Sequence, residues 1–219
     1  MHDGVTHGGE AARGTLRGLA WWFLVTAVCF FPLIMNPIIF GFFDESDEAR
    51  LEHVQDHLGA LRILLTGIGV TELALGAGLW MWGRRVADRS PGRSGSVANA
   101  FAWIALVAGV LSLISRIATS WGRSAEDLAS GDIGLLDVVL FLPAAIGFSL
   151  STVVFGVLMI KGAMPTWLGI VWIACGVLFW VGILPLWFFV AALVFGVYGA
   201  VRFRSGAPSA DLVAAVRSA

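Results

Sequence analysis

Charged residues are scarce in this chain, and so are the features that define several soluble classes of protein. Only 13% of the 219 residues are Asp, Glu, Lys or Arg, about half the share of a typical soluble domain. The two cysteines, Cys29 and Cys175, lie in apolar segments and cannot build a disulfide framework. No basic tract with interleaved aromatic residues is present, which excludes a nucleic-acid partner. The remaining composition, 58% hydrophobic, predicts a membrane protein with the lipid bilayer as its partner.

Six apolar segments are long enough to cross a hydrocarbon core as helices, which takes about 20 mostly apolar residues. They lie at about 18–43, 60–82, 98–121, 134–160, 163–182 and 185–203. Helices are expected because backbone groups must be paired within each segment in lipid, and the alternation of a membrane barrel is missing. The predicted fold is therefore all-α and polytopic. One six-helix transmembrane domain at 18–204 has a cytoplasmic tail at 1–17 and another at 205–219.

Charges divide unevenly between the two sides of such a bundle. Cations dominate the tails and the second and fourth loops: Arg13, Arg17, Arg84, Arg85, Arg89, Arg93, Lys161, Arg202, Arg204 and Arg217. Acids dominate the first and third loops: Asp44, Glu45, Asp47, Glu48, Glu52, Asp56, Glu126, Asp127 and Asp132. Cytoplasmic loops are enriched in Lys and Arg, so both termini are predicted in the cytoplasm of a bacterium, with the acidic loops outside the inner membrane. An interfacial tryptophan belt agrees: Trp21, Trp22, Trp80, Trp82, Trp103, Trp121 and Trp167.

The first segment contains "FFPLIMNPIIFGFF", in which Pro32 and Pro37 flank Asn36. Each proline removes an amide donor and kinks a helix, which frees backbone carbonyl groups inside the bundle. Discontinuous helices border binding sites in many transporters, so Asn36 is a candidate binding residue. The alternative is a packing kink in which the Asn36 amide satisfies a freed carbonyl group.

Apolar residues recur at helical spacing between the first two segments: Leu51, Val54, Leu58 and Leu61. This pattern predicts an amphipathic helix at the outer surface that leads into the second span, with Gly59 as a candidate bend. The other face carries His53 and His57 at i and i+4, a spacing that could hold a metal such as zinc together with a carboxylate. The alternatives are a polar face without a ligand and a surface charge that changes with pH.

The second segment, "LLTGIGVTELALGAGLWMW" at 64–82, contains a single acid, Glu72. Ten residues separate Glu72 from Trp82, which is ~15 Å of helix rise and puts the carboxyl group near the midplane. Gly69 and Gly76 lie on the same helical face, and small residues let another helix approach closely. Glu72 is therefore predicted to point into the bundle.

Arg62 and Arg202 belong to segment ends, and two further charges fall inside the predicted spans, Arg116 in the third and Asp137 in the fourth. Both are expected near the outer ends, with Glu72 deeper by ~10 Å along the axis. In one interpretation Arg116 pairs with Asp137 to hold the helix register, and Glu72 stays neutral. In the other, the three residues line an outward-opening cavity that binds a substrate, ion or proton, because intramembrane ionisable residues commonly mark function.

The stretch "KGAMPTWLGIVWIACGVLFWVG" at 161–182 begins a span with Pro165, Trp167, Leu168 and Gly169, after a short basic and glycine turn. This pattern resembles small multi-pass integral membrane proteins of actinobacteria whose function is unassigned. The resemblance implies a helical membrane fold and no known chemistry. It therefore transfers no catalytic residue to this chain.

Three functions fit these observations. The first is binding or transport of a small or lipophilic molecule at Glu72, Arg116, Asp137 and Asn36, in a site open to the extracytoplasmic side. The second is an integral membrane enzyme in which Glu72 or Asp137 is a general acid acting on a lipid or isoprenoid-like substrate. The third is a structural or accessory subunit that packs against partner spans. No motif indicates a cofactor or a particular reaction.

Overall fold

The computed structural model describes residues 4–41, 46–90, 92–130, 135–162, 164–182 and 185–204, and all regular secondary structure in these ranges is α-helical. The helices are α1 (Gly4–Ile34), α2 (Pro37–Gly41), α3 (Asp47–Arg89), α4 (Arg93–Trp121), α5 (Ala125–Ala129), α6 (Leu135–Lys161), α7 (Thr166–Gly182) and α8 (Leu186–Arg204). Four of them, α1, α3, α4 and α6, are long and apolar enough to cross a membrane, and α7 and α8 are shorter apolar helices. The predicted all-α fold class is confirmed.

The six longer helices form a closed ring in chain order. α1 packs on α3, α3 on α4, α4 on α6, α6 on α7 and α7 on α8, and α8 returns to α1. Helices joined by short connections pack as antiparallel neighbours, so the connections gather at two ends of the ring. We call the end with α2, α5 and the start of α3 the acidic end, and the end with the α3–α4 turn the basic end.

Aromatic side chains fill the inside of the ring. Phe23, Trp82, Trp172 and Phe195 come from four different helices, and their ring centroids lie between 5.2 and 6.0 Å apart. Most of these pairs meet edge to face, which is favourable because the positive ring edge faces the negative π surface. Trp82 is only 5% exposed, so its assignment to the interfacial belt is wrong. Its indole packs in the core against Trp172 of α7 and Phe195 of α8.

The first predicted span is interrupted. α1 already begins at Gly4, inside the predicted tail, and ends at Ile34, two residues after Pro32. Pro37 then begins α2, a favourable position because the first residue of a helix needs no amide donor. The expected continuous span at 18–43 therefore breaks at Met35 and Asn36. Residues 42–45 and the predicted tail at 205–219 lie outside the described residues.

The predicted amphipathic surface helix is not a separate element. α3 is one helix of 43 residues that passes Gly59 without interruption, and at 1.5 Å per residue it is about 64 Å long, twice the ~30 Å of a hydrocarbon core. Its apolar stripe is nevertheless used, because Val54 and Leu61 are buried against Ile39 of α2 and Leu128 of α5. Two short helices, rather than a membrane surface, cover this stripe.

Two arginines of α3 form hydrogen bonds that connect α3 with the ends of α4 and α5 at the acidic end. Arg50 Nε donates to the Ala129 carbonyl group at the end of α5. Arg62 donates to the carbonyl groups of Ser120 at 2.8 Å and Arg123 at 3.1 Å, just at the end of α4. Such terminal carbonyl groups lack intrahelical partners and carry partial negative charge. Because these cations turn inward, the exposed charge here is acidic: Asp47, Glu48, Glu52, Asp56, Glu126 and Asp127.

Candidate functional site

Glycines bring α3 and α4 into close contact around Glu72. A Cβ atom added to Gly69 would lie 3.0 Å from Arg116 Cβ, and one added to Gly76 would lie 2.5 Å from the Ala105 carbonyl oxygen. Small residues at such positions let two helix backbones approach. Glu72 is 2% exposed, which confirms that it points into the bundle from a glycine-lined face.

Both carboxylate oxygens of Glu72 accept hydrogen bonds from α4. Arg116 Nη2 donates to Oε1 at 3.0 Å, and Arg116 Nε donates to Oε2 at 3.3 Å. Ser112 Oγ also donates to Oε2, at 2.5 Å. The two guanidinium donors match the two carboxylate oxygens, the geometry of a strong ion pair. Sequence reasoning did not assign this role to Ser112, although its i, i+4 spacing from Arg116 indicates a shared helical face.

Side-chain direction explains why Glu72 and Arg116 meet although their backbone positions were expected at different depths. Helical side chains lean toward the N-terminus of their own helix. Because α3 and α4 are antiparallel, Glu72 leans toward the acidic end and Arg116 leans away from it. The two charged groups therefore converge to 3.0 Å.

The two partners differ in exposure. The Arg116 side chain is 24% exposed and the Glu72 side chain 3%. The guanidinium carbon of Arg116 lies 5.6 Å from the ring centroid of Phe141 on α6, within the range of a cation–π contact. Phe141 shares its helical face with Ala144 and Phe148, which are buried in the core of the ring. Arg116 is therefore the partly exposed member of this centre, with the Phe141 ring beside its guanidinium group.

Asp137 lies in the first turn of α6, and its side chain is outside the part of the chain that the structure describes. Arg116 pairs directly with Glu72, a contact that the interpretation with an unpaired Glu72 did not include, and the pairing of Arg116 with Asp137 stays a prediction.

Asn36 lies at the break between α1 and α2. Its Oδ1 accepts a hydrogen bond from the Ile38 amide at 3.0 Å, and its carbonyl oxygen accepts one from the Ile39 amide at 2.9 Å. These bonds make Asn36 the cap of α2. Within the described residues, no hydrogen bond joins Asn36 to Glu72 or Arg116, so the structure does not bring it into the candidate site.

His53 and His57 stack on α3 with ring centroids 4.6 Å apart. His53 Nε2 lies 3.1 Å from the Ile38 carbonyl oxygen, and His57 Nδ1 lies 3.0 Å from the His53 carbonyl oxygen. Each of these nitrogens must donate, because a carbonyl oxygen only accepts. Among the described residues no group of three His, Cys, Asp or Glu side chains could hold a metal ion, so the zinc site remains a prediction based on two ligands.

The "PTWLG" residues at 165–169 begin α7 and contact α6. Leu168 is fully buried, and a Cβ atom added to Gly169 would lie 2.6 Å from the Gly156 carbonyl oxygen. This motif therefore has a packing role, because its glycine permits the close crossing of α6 and α7. The resemblance to actinobacterial membrane proteins stays a prediction.

Fold and site together define a class: an all-α ring of apolar helices with an aromatic core and a buried glutamate–arginine pair. No protein family matches this chain, and no curated protein or solved structure matches it either.

Proposed function

We propose that this chain is a six-span protein of the bacterial cytoplasmic membrane that binds or transports a small or lipophilic molecule at the Glu72–Arg116 centre. The observation that carries this proposal is a full ion pair inside apolar helices, in which the carboxylate is sealed and the guanidinium is 24% exposed. Charged side chains at membrane depth are energetically expensive and commonly mark substrate or ion sites.

Closure of the ring supports six spans. α7 and α8 have 17 and 19 residues, and these lengths correspond to about 25 and 28 Å of helix, close to the thickness of a hydrocarbon core. α7 packs beside α6, and α8 packs beside α1, so both shorter helices would cross the layer that the longer ones cross. The basic end then faces the cytoplasm, together with both termini.

We place the proposed site nearer the acidic end, which is extracytoplasmic in this topology. Arg116 precedes the last residue of α4, Trp121, by five positions, whereas Glu72 is buried beneath it. A ligand would meet the guanidinium group and the Phe141 ring together. This combination suits a molecule with an apolar body and a polar group better than a bare ion.

An enzyme that uses Glu72 as a general acid fits the geometry less well. A general acid must carry a proton, whereas a bidentate arginine partner suits a carboxylate anion. A structural or accessory function is the second candidate, because both Glu72 oxygens are hydrogen-bonded within the protein. In that case the pair holds the register of α3 and α4 and no ligand is needed.

The test is to purify the full-length protein in a mild detergent and identify its co-purifying small molecules by mass spectrometry. Phe141→Leu removes the ring under the guanidinium but leaves the ion pair, and Arg116→Gln removes the cation. The matched control is Asp47→Asn, which breaks an exposed pair with Arg50. We expect both site variants to lose a species that the wild type and the control retain. Equal retention in all four proteins would contradict binding at this centre, and a wild type that carries no species would favour the structural function.

A further inference from the structure

The turn between α3 and α4 carries a second set of polar groups, far along the chain from Glu72. α3 ends at Arg89 with Ser90 as its C-cap, and α4 begins at Arg93 with Gly92 as its N-cap. Gly92 has a φ of 111°, in the left-handed region that glycine adopts readily. The chain therefore reverses sharply and brings the last turn of α3 beside the first turn of α4.

Backbone amides at the start of α4 have no side-chain cap. The N-cap residue Gly92 makes no side-chain cap, and the first bond into the helix runs from the Ser96 amide to the Gly92 carbonyl oxygen at 3.1 Å. The amides of Arg93, Ser94 and Gly95 come before that bond, where N–H groups of a helix lack intrahelical acceptors. The partial positive charge of a helix N-terminus favours an anion at this position.

Ser90 adds a buried donor at the same place. Ser90 is 3% exposed, and its Oγ has no hydrogen-bond partner within the described part of the chain. A Cβ atom added to Gly95 would clash with the Ser90 carbonyl oxygen, so the Ser90 backbone packs directly against the first turn of α4. A buried hydroxyl group without a partner is unfavourable, and an acceptor bound at this turn would satisfy it.

Arginines flank this turn on both sides. Arg89 and Arg93 form no ion pair with a described carboxylate, and the nearby Asp88 is exposed. Arg85 precedes Arg89 by one helical turn, and burial together with the charge of Arg89 lowers the pKa of Arg85. Arg89 lowers the pKa of Arg85 because the two neighbouring guanidinium groups repel each other. A bound anion would relieve that repulsion.

We propose that the α3–α4 turn is a phosphate-binding site formed by the first amides of α4, the Ser90 hydroxyl group and the guanidinium groups of Arg89 and Arg93. A phospholipid headgroup and a free phosphate share this chemistry. The site is independent of the Glu72 centre, so the failure of either proposal leaves the other intact.

Two probes distinguish the sources of phosphate. The full-length protein is placed in bilayer nanodiscs of phosphatidylethanolamine and phosphatidylglycerol, and retained phosphatidylglycerol is measured by native mass spectrometry. In detergent, binding of inorganic phosphate is measured by calorimetry at physiological salt, which screens non-specific attraction. The variants are Arg93→Gln, Arg89→Gln and Ser90→Ala. Arg84→Gln is the matched control, because it removes the same charge from the same end and Arg84 bonds to Asn99 away from the turn.

We expect Arg93→Gln and Arg89→Gln each to weaken binding about tenfold, since a hydrogen bond to a charged group is lost. Ser90→Ala should weaken it by a smaller factor, and Arg84→Gln should leave it within about twofold because long-range attraction is screened. Losses confined to phosphatidylglycerol identify a lipid headgroup, and matching losses with inorganic phosphate identify free phosphate. Equal effects of Arg84→Gln and both turn arginines, with Ser90→Ala unchanged, would overturn the site. Agreement between Arg89→Gln and Arg93→Gln guards against a folding defect in either variant.

Discussion

Replacing Glu72 by glutamine is the most direct measure of the buried ion pair. The substitution preserves the shape of the side chain and removes the charge that Arg116 contacts at 3.0 Å. Arginine stays protonated, so a guanidinium group that is only 24% exposed loses the carboxylate of Glu72. Removing one partner of a buried pair costs about 3–5 kcal/mol. The partial exposure of Arg116 puts the expected cost for Glu72→Gln at about 2–3 kcal/mol, below that range.

The assay is thermal unfolding of the purified protein in detergent at a fixed heating rate, because unfolding of such proteins is commonly irreversible. For a chain of this length 1 kcal/mol shifts Tm by about 2–4 °C, so Glu72→Gln should lower Tm by about 4–12 °C. Asp47→Asn is the control, since the Asp47 side chain is 92% exposed and its pair with Arg50 lies at the surface. An exposed pair contributes at most about 1 kcal/mol.

The double variant Glu72→Gln/Arg116→Gln separates the interaction energy of the ion pair from the contributions of the two individual side chains. Most of the cost of Glu72→Gln comes from a guanidinium group that no longer has the Glu72 carboxylate beside it, so removing that group as well should recover about half of the decrease in Tm or more. A Glu72→Gln protein that melts within about 1 °C of the wild type would refute a stabilising ion pair. So would a double variant whose loss equals the sum of the two single losses.

Two further predictions concern helix packing and topology. Gly76→Ala would bring a Cβ atom within 2.5 Å of the Ala105 carbonyl oxygen, so α3 and α4 must separate and stability should fall by about 1–3 kcal/mol in the same melting assay. Gly59→Ala meets nothing within 4 Å and should stabilise α3 by up to ~1 kcal/mol; equal effects of the two changes would argue against close packing. For the topology, Gln55→Cys should react with a membrane-impermeant maleimide in intact cells, whereas Asp88→Cys should react only after permeabilisation. The reverse pattern would invert the orientation.

Features that depend on local composition could be predicted from the sequence. Four segments expected at 98–121, 134–160, 163–182 and 185–203 correspond closely to α4, α6, α7 and α8, because scarcity of charge over about 20 residues defines a helix that can lie in lipid. The inward direction of Glu72 also followed from local pattern, since its glycine neighbours at i−3 and i+4 mark the face that a second helix approaches.

Features that depend on neighbouring elements could not be predicted in this way. The helices α2 and α5 support the continuity of α3 through Gly59, because they cover Val54 and Leu61. The sequence did not predict that these two parts of the chain contact α3. The burial of Trp82 follows from its contacts with Phe155 and Phe195.

The sequence by itself determined that this protein is built of apolar helices, that its charge is divided between two ends, and that Glu72 faces inward. These properties follow from spacing and composition along one helix. Only the tertiary structure decided that Arg116 reaches Glu72 with Ser112 beside it. That choice depends on the close approach and opposite directions of α3 and α4, which no single segment encodes.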